Sequence, residues 1–183
     1  MPLQESTLIY NNFKRMTIKP IIARYWIIAA KSEFVKASDW RSWADKVILS
    51  TEKPPIWIIS MSLALNLEDL HKALEDILYT LKGAGLDATD DAVIGYLWLR
   101  FERHEFDLAE CLNLIGRYAD AYNASIECEV AYAFLNELEA KKKSALIIKK
   151  EAAQRFSPMR LLARQQWDEI QLTVSKLDST RQP

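Results

Sequence analysis

Glycine is scarce in this chain, and its scarcity limits the folds that the chain can adopt. Four glycines occur among 183 residues, whereas a globular protein of this length has about 13 at the usual ~7%. Few sharp turns are therefore available, which favours helices joined by short connections. Apolar residues recur at helical spacing along most of the chain, and alternation of the strand type is confined to Thr7–Tyr10. The sequence predicts an all-α fold, a compact bundle of about seven or eight helices.

A single domain is predicted from length and composition. Half of the residues are apolar and 27% are charged, as in an ordinary globular protein with one well-buried core. Residues 1–16 show no clear period and are predicted to form a loosely held N-terminal arm. The helical domain is then assigned to residues 17–178, and residues 179–183 are expected to be a frayed tail.

The segment Ser38–Ala64 carries three of the six tryptophans and is predicted to organise the core. Ser38 or Asp39 is expected to cap a first amphipathic helix. Pro55 is expected to start a second helix, and the residues from Ile56 to Leu65 are apolar nearly all round, which is typical of a helix surrounded by others. The core-organising residues are predicted to be Trp40, Trp43, Pro55 and Trp57.

Further helix limits follow from capping residues. Asn66 is expected to cap an amphipathic helix that ends at Gly83, and Thr89 is expected to cap the next. A break is predicted near residues 103–106, and Ser157 with Pro158 is predicted to begin the final helix.

The net charge of −1 conceals a division along the chain. Residues 1–53 have a net charge of +4, residues 54–140 of −11, and residues 141–183 of +6. An acidic surface of this kind attracts a basic protein and speeds its capture. Acids near two successive helix junctions are expected to converge on one end of the bundle and to bind such a partner: Asp87, Asp90, Asp91, Glu102, Glu105, Asp107 and Glu110.

No catalytic, cofactor or metal motif stands out. Glu68 and His71 have the spacing of a carboxylate-bridged metal site, but such a site needs a second Glu-x-x-His and further inward glutamates that the chain lacks. His104 lies among acids at a helix junction, without a nucleophile nearby in the sequence. The cations of residues 141–164 lack interleaved aromatic residues, so nucleic-acid binding is disfavoured. No catalytic residue, metal or cofactor is therefore predicted.

The compartment is predicted from what the sequence omits. Cys111 and Cys128 do not form a disulfide framework, and both are expected to be small buried residues of a reducing compartment. No apolar run is long enough for a membrane span, and residues 1–16 do not resemble a signal peptide. We therefore expect a cytoplasmic protein without membrane contact.

The tryptophan-rich stretch from Trp40 to Ala64, with Tyr25, Trp26 and Phe34 before it, resembles a family of small all-helical bacterial proteins. Some members are candidate immunity proteins of polymorphic or contact-dependent toxin systems. The resemblance covers mainly residues 20–80 and brings no catalytic residues with it. It implies a non-enzymatic inhibitor that neutralises a cognate toxin, for example a basic nuclease domain. The alternatives are a small enzyme with a site near His104, and an adaptor or subunit of a helical homo-oligomer such as a dimer.

Overall fold

The computed structural model describes residues 18–83, 91–122 and 124–179, with side chains as far as residue 176. In these ranges the chain forms helices and no strand, so the predicted all-α fold is confirmed. The alternation at Thr7–Tyr10 and the cap at Thr89 lie outside the described residues. Nine helices are described, which we number α1 (Ile21–Lys31), α2 (Ala37–Ser50), α3 (Ile56–Leu63), α4 (Leu67–Gly83), α5 (Asp91–Glu102), α6 (Leu108–Ala121), α7 (Cys128–Glu139), α8 (Ala145–Arg155) and α9 (Ser157–Ser179).

The helix at the centre of the fold is α5. All eight consecutive residues from Ala92 to Leu99 are buried, which requires neighbours on every side of the helix. Helices α9, α6 and α1 supply them. On one side, α1 to α4 pack on one another, and on the other side α6, α7 and α8 form a chain of contacts. One hydrophobic cluster runs through these groups, from Ile18 to Ile170.

The prediction that α3 is surrounded by other helices is wrong. Ile58 and Met61 are buried, but Ile56 and Leu63 are 81% and 73% exposed. Helix α3 packs on α2 and α4 at the surface of the fold. An apolar pattern all round fits both a surrounded helix and a surface helix with an unpartnered face, and α5 rather than α3 is the surrounded one.

Gly95 explains how α9 approaches α5. A Cβ atom at Gly95 would lie 2.0 Å from the Met159 carbonyl oxygen and 2.8 Å from the Ala163 Cβ, far closer than atoms can pack. Only glycine leaves the backbone of α9 this close to α5. The close crossing of α5 and α9 therefore depends on the absence of a side chain at Gly95.

Two tryptophans of α2 tie that helix to the rest of the core. Trp40 is buried and donates its indole N–H to the Ala64 carbonyl at 3.0 Å, and Trp43 is buried and donates to the Ile170 carbonyl at 3.1 Å. Trp57 is half-buried and stacks on Trp43 with 6.3 Å between ring centroids. Pro55 directly precedes α3 as its N-cap residue, one position before the predicted place.

The predicted capping residue is observed at the start of α4 but not at the start of α2. Asn66 accepts a hydrogen bond from the Asp69 N–H at 2.9 Å, as predicted for the start of α4. The start of α2 was predicted wrongly, since Ser38 and Asp39 lie inside a helix that begins at Ala37. The Asp39 carboxylate instead accepts the Lys36 N–H at 2.7 Å, so it reaches back to the chain that enters the helix.

Candidate functional site

The acids predicted to form one binding surface lie at two ends of α5. Asp91 is at the first residue of this helix and Glu102 at the last, about 17 Å apart at 1.5 Å per residue. The expected convergence on one end of the bundle is therefore wrong for these residues. Asp87 and Asp90 lie outside the described residues.

Two of these acids neutralise arginines within the fold. Glu102 accepts hydrogen bonds from Arg160 at 2.7 Å and from Arg164 at 3.0 Å, which ties α5 to α9. Glu105 accepts from the Nε of Arg100 at 2.8 Å. A carboxylate held by arginine has little charge left to attract a partner.

Arg100 joins the end of α5 to the loop between α1 and α2. Its side chain is only 14% exposed, and its Nη1 donates to the Ser32 carbonyl at 2.8 Å and to Glu33 at 3.2 Å. The guanidinium also lies 5.0 Å from the Phe106 ring centroid. This cluster holds three segments together, which gives Glu105 a role in the fold.

Asp91, Asp107 and Glu110 differ in what they contact. Asp91 accepts the Ser125 N–H at 2.8 Å. Asp107 caps α6 by accepting the Glu110 N–H at 2.9 Å. Glu110 itself is exposed. Of the five predicted interface acids that the structure describes, Glu110 is the one whose carboxylate forms no hydrogen bond or ion pair within the described ranges.

His104 marks the end of α5. Its φ of 61° lies in the left-handed region, and its N–H donates to the Phe101 carbonyl while the Glu105 N–H donates to the Arg100 carbonyl. This pair of bonds is the Schellman arrangement that ends a helix. The side chain is exposed. The left-handed backbone of His104 is therefore accounted for by its place in this helix-ending motif.

The described residues contain no group of three or more His, Cys, Asp and Glu side chains that could hold a metal ion. Glu68, which with His71 has the sequence spacing of a metal site, forms an ion pair with Lys72 at 2.9 Å. Cys111 is buried, and burial raises the pKa of its thiol to about 12, which removes the thiolate that a nucleophile needs. Cys128 is half-buried and not fully buried as predicted.

The cations of the C-terminal segment are divided among several partners. Arg160 and Arg164 pair with Glu102, and Lys143 lies between Glu137 at 3.1 Å and Glu151 at 2.8 Å. Because these three cations are already paired with carboxylates, they are less available to bind a phosphate backbone.

An exposed apolar surface runs along α3 into the start of α4. We call it the α3 patch; it consists of Ile56, Ile59, Leu63, Leu65 and Leu67, which are 81%, 42%, 73%, 63% and 39% exposed. In α3 the spacing of i, i+3 and i+7 puts its three members on one face, opposite the buried Ile58 and Met61. Exposed apolar side chains that cluster often mark an interaction site, whereas single exposed ones need no explanation. The apolar residues all round α3 are the only sign of this surface in the sequence, and the same pattern fits an enclosed helix.

Comparison with protein-family models, with curated proteins and with solved structures finds no match to this chain. The immunity-type resemblance therefore stays a prediction drawn from residues 20–80. Among the helices of the described ranges, none combines the length and apolar character that crossing a membrane requires.

Proposed function

We propose that this protein acts by binding a basic protein partner, and that the α3 patch is the centre of the contact surface. The observation that supports this most is the exposure of Ile56 and Leu63 on a helix whose other face is buried. A contact surface typically has an apolar centre that excludes water and a polar rim that sets selectivity.

Charge beside the patch supports a basic partner. Residues 54–83 carry four acids and two lysines. Glu75 and Asp76 are exposed on α4 and form no ion pair among the residues described, and Tyr79 beside them is 79% exposed. Helix α4 packs directly on α3, so its acids can steer a cationic protein to the apolar centre. We therefore propose that the acidic contact lies on α4 and not in the loops at the two ends of α5.

The finer proposal is that the partner is a toxin and that this protein is its immunity-type inhibitor in the cytoplasm. Inhibition by binding needs no catalytic group, and the resemblance of residues 20–80 implies this role. An adaptor role would use the same patch, whereas an enzyme acting near His104 has no support from the helix-end geometry found there.

Site-specific photo-crosslinking in the cell of origin tests the proposed surface. A photo-reactive amino acid at position 56 or 63 should give a crosslink to a protein in which Lys and Arg outnumber Asp and Glu. The matched control is position 146, since Leu146 is 77% exposed on α8 but lies outside the patch. Leu63→Glu should abolish the crosslink from position 56 while the helical circular dichroism stays unchanged.

Two outcomes would contradict the proposed surface. Equal crosslinking at position 146, or capture that survives Leu63→Glu, would place the contact elsewhere. A product that contains only this chain would identify the patch as a dimer interface and refute a basic partner.

The inhibitor role has its own test. The crosslinked partner, expressed alone in a bacterial host, should arrest growth. Co-expression of this protein should restore growth, and the Leu63→Glu variant should fail to do so. A partner that is harmless alone would overturn the inhibitor role and leave the binding surface intact.

A further inference from the structure

A second exposed surface lies at the start of α8, in the group of helices on the other side of α5 from the α3 patch. Leu146 and Ile147 in the first turn of α8 are 77% and 48% exposed, whereas Ile148 and Ala152 are buried and hold the helix against the fold. Residues 140–150 contain five lysines and no acid. Four of the lysines are exposed, and with the two exposed apolar residues they form what we call the α8 surface: Lys141, Lys142, Leu146, Ile147, Lys149 and Lys150.

The lysines of the α8 surface keep their charge for an outside partner. None of these four lysines forms an ion pair in the ranges that the structure describes. The Nζ of Lys149 lies 5.1 Å from the Phe101 ring centroid, a contact that does not neutralise its charge. The exposed acid that precedes the segment is Glu139. Four lysines against this one acid leave a net charge of +3.

Two further glutamates near the α8 surface, Glu137 and Glu151, are bound by Lys143. The Lys143 Nζ lies 3.1 Å from Glu137 and 2.8 Å from Glu151. Glu151 follows Leu146 by five residues, which is about 140° around the helix at 3.6 residues per turn. Glu151 therefore lies away from the outward face of α8 and does not cancel the charge there.

The apolar and charged side chains share the outward face of α8. Leu146 precedes Lys149 by three residues and Lys150 by four, a spacing that makes the side chains neighbours on one face of a helix. Lysine can lay its apolar stem along an apolar surface while its ammonium group stays in a polar layer. An aliphatic pair beside lysines therefore fits a boundary between an apolar layer and an anionic one.

The composition of the α8 surface favours one class of anionic partner. A single-stranded nucleic acid needs aromatic stacking platforms, which this surface lacks, and it offers no apolar layer to Leu146 and Ile147. Protein interfaces are enriched in arginine and aromatic residues and depleted in lysine. A bilayer with anionic lipids offers negative headgroups directly above acyl chains, which matches lysines beside aliphatic side chains.

From these observations we infer that the α8 surface binds the face of a bilayer that contains anionic lipids. Leu146 and Ile147 enter the boundary between headgroups and acyl chains, and the four lysines bind the headgroup phosphates. We expected no membrane contact because no apolar run is long enough to span a bilayer, but a contact at the membrane surface needs no such run. The inference does not rest on the proposed function, since the α3 patch belongs to other helices.

Sedimentation of the whole protein with lipid vesicles tests the contact. The protein should bind vesicles made of equal parts of phosphatidylcholine and phosphatidylglycerol at low salt. Its affinity should fall as the salt concentration rises, because salt screens the attraction between exposed charges. Vesicles of phosphatidylcholine alone should bind at least ~tenfold more weakly, because they lack the anionic headgroups that attract lysine.

A pair of lysine substitutions tests the charged part of the α8 surface. Each lysine near an anionic membrane contributes roughly fivefold to the affinity, so the double variant Lys142→Gln with Lys150→Gln should bind at least ~tenfold more weakly. The control is Lys46→Gln with Lys53→Gln, which removes the same charge from exposed positions of α2 and the loop after it. The control should bind as the unchanged protein does, because the attraction falls off within a Debye length.

The apolar part has its own matched pair of variants. Leu146→Glu should weaken vesicle binding at least ~tenfold, because it replaces an inserted apolar side chain with an anion. Leu49→Glu is the control, since Leu49 is 72% exposed on α2 and lies outside the α8 surface. Both substitutions are at exposed positions, so the helical circular dichroism should stay unchanged.

Four results would overturn the inference. They are no binding to the phosphatidylglycerol vesicles at low salt, equal binding of pure phosphatidylcholine vesicles, equal binding by either α8 variant at unchanged helical content, and equal loss in its control. Binding of soluble polyglutamate without binding of vesicles would indicate an acidic protein as the partner and would likewise refute the membrane contact.

Discussion

Trp43 donates its indole N–H to the backbone carbonyl of Ile170 at 3.1 Å, although 127 residues separate the two in the chain. The bond joins the second described helix to the last. Because this bond lies in the buried core, removal of the Trp43 side chain would leave a cavity and would leave the Ile170 carbonyl without this donor.

Trp43→Ala should lower the free energy of unfolding by ~3–5 kcal/mol, as large-to-small substitutions in a core do. Trp57→Ala should cost clearly less, because Trp57 is half-buried and stacks on Trp43 from the outside. Chemical denaturation followed by circular dichroism measures both. Equal losses at the two positions would show that Trp57 belongs to the core as fully as Trp43.

Gly95→Ala should destabilise the protein although alanine is the better helix former by ~1 kcal/mol. The added Cβ would meet the Met159 backbone at 2.0 Å, and separating α5 from α9 should cost more than ~2 kcal/mol, as overpacking does. The control is Gly83→Ala, where no atom lies within 4 Å, so stability should hold or rise. The midpoint of denaturant unfolding compares the two, and an unchanged midpoint for Gly95→Ala would contradict the close crossing.

His104→Gly should raise the free energy of unfolding by up to ~1 kcal/mol. The left-handed conformation at φ of 61° costs a residue with a Cβ about 1–2 kcal/mol, and the greater freedom of glycine in the unfolded chain offsets part of that gain. His104→Val should instead destabilise, because a branched side chain tolerates this conformation poorly. If the glycine variant were more stable but lost a measurable activity, His104 would have a chemical role.

Asp107→Ala should lower stability by ~1 kcal/mol, because the carboxylate caps α6 and the loss of such a cap has about this cost. Glu110→Ala in the same turn should change stability by less than ~0.5 kcal/mol, as exposed substitutions usually do. Thermal unfolding of the two variants gives the comparison. Neither change should alter binding of the basic partner, since both residues lie outside the α3 patch.

Helix positions could be predicted from the sequence because their signals are local. Asn66 caps α4 and Ser157 is the first residue of α9, as the sequence predicts. Such signals are local, because a capping residue lies within a few positions of the groups that it satisfies. Contacts with residues that are distant in the sequence are not needed for a capping residue to satisfy these groups.

Which helix lies at the centre could not be predicted from the same signals. Helices α3 and α5 are both apolar all round, and only the approach of α9 distinguishes them. A glycine in the middle of a helix, Gly95, is the one sequence feature that indicates such an approach. The role of Glu102 could not be predicted for a similar reason, because it forms an ion pair with an arginine 58 residues later in the chain. No pattern of local spacing contains that contact.

The contacts of α9 also set the order in which the fold can close during synthesis. Helix α9 packs on α5, α1 and α2, so the side of α5 that holds Gly95 stays uncovered until α9 leaves the ribosome. At ~5–20 residues per second, translating the 23 residues of α9 takes ~1–5 s. For that interval the nascent chain exposes to the solvent the part of α5 that α9 covers in the folded protein.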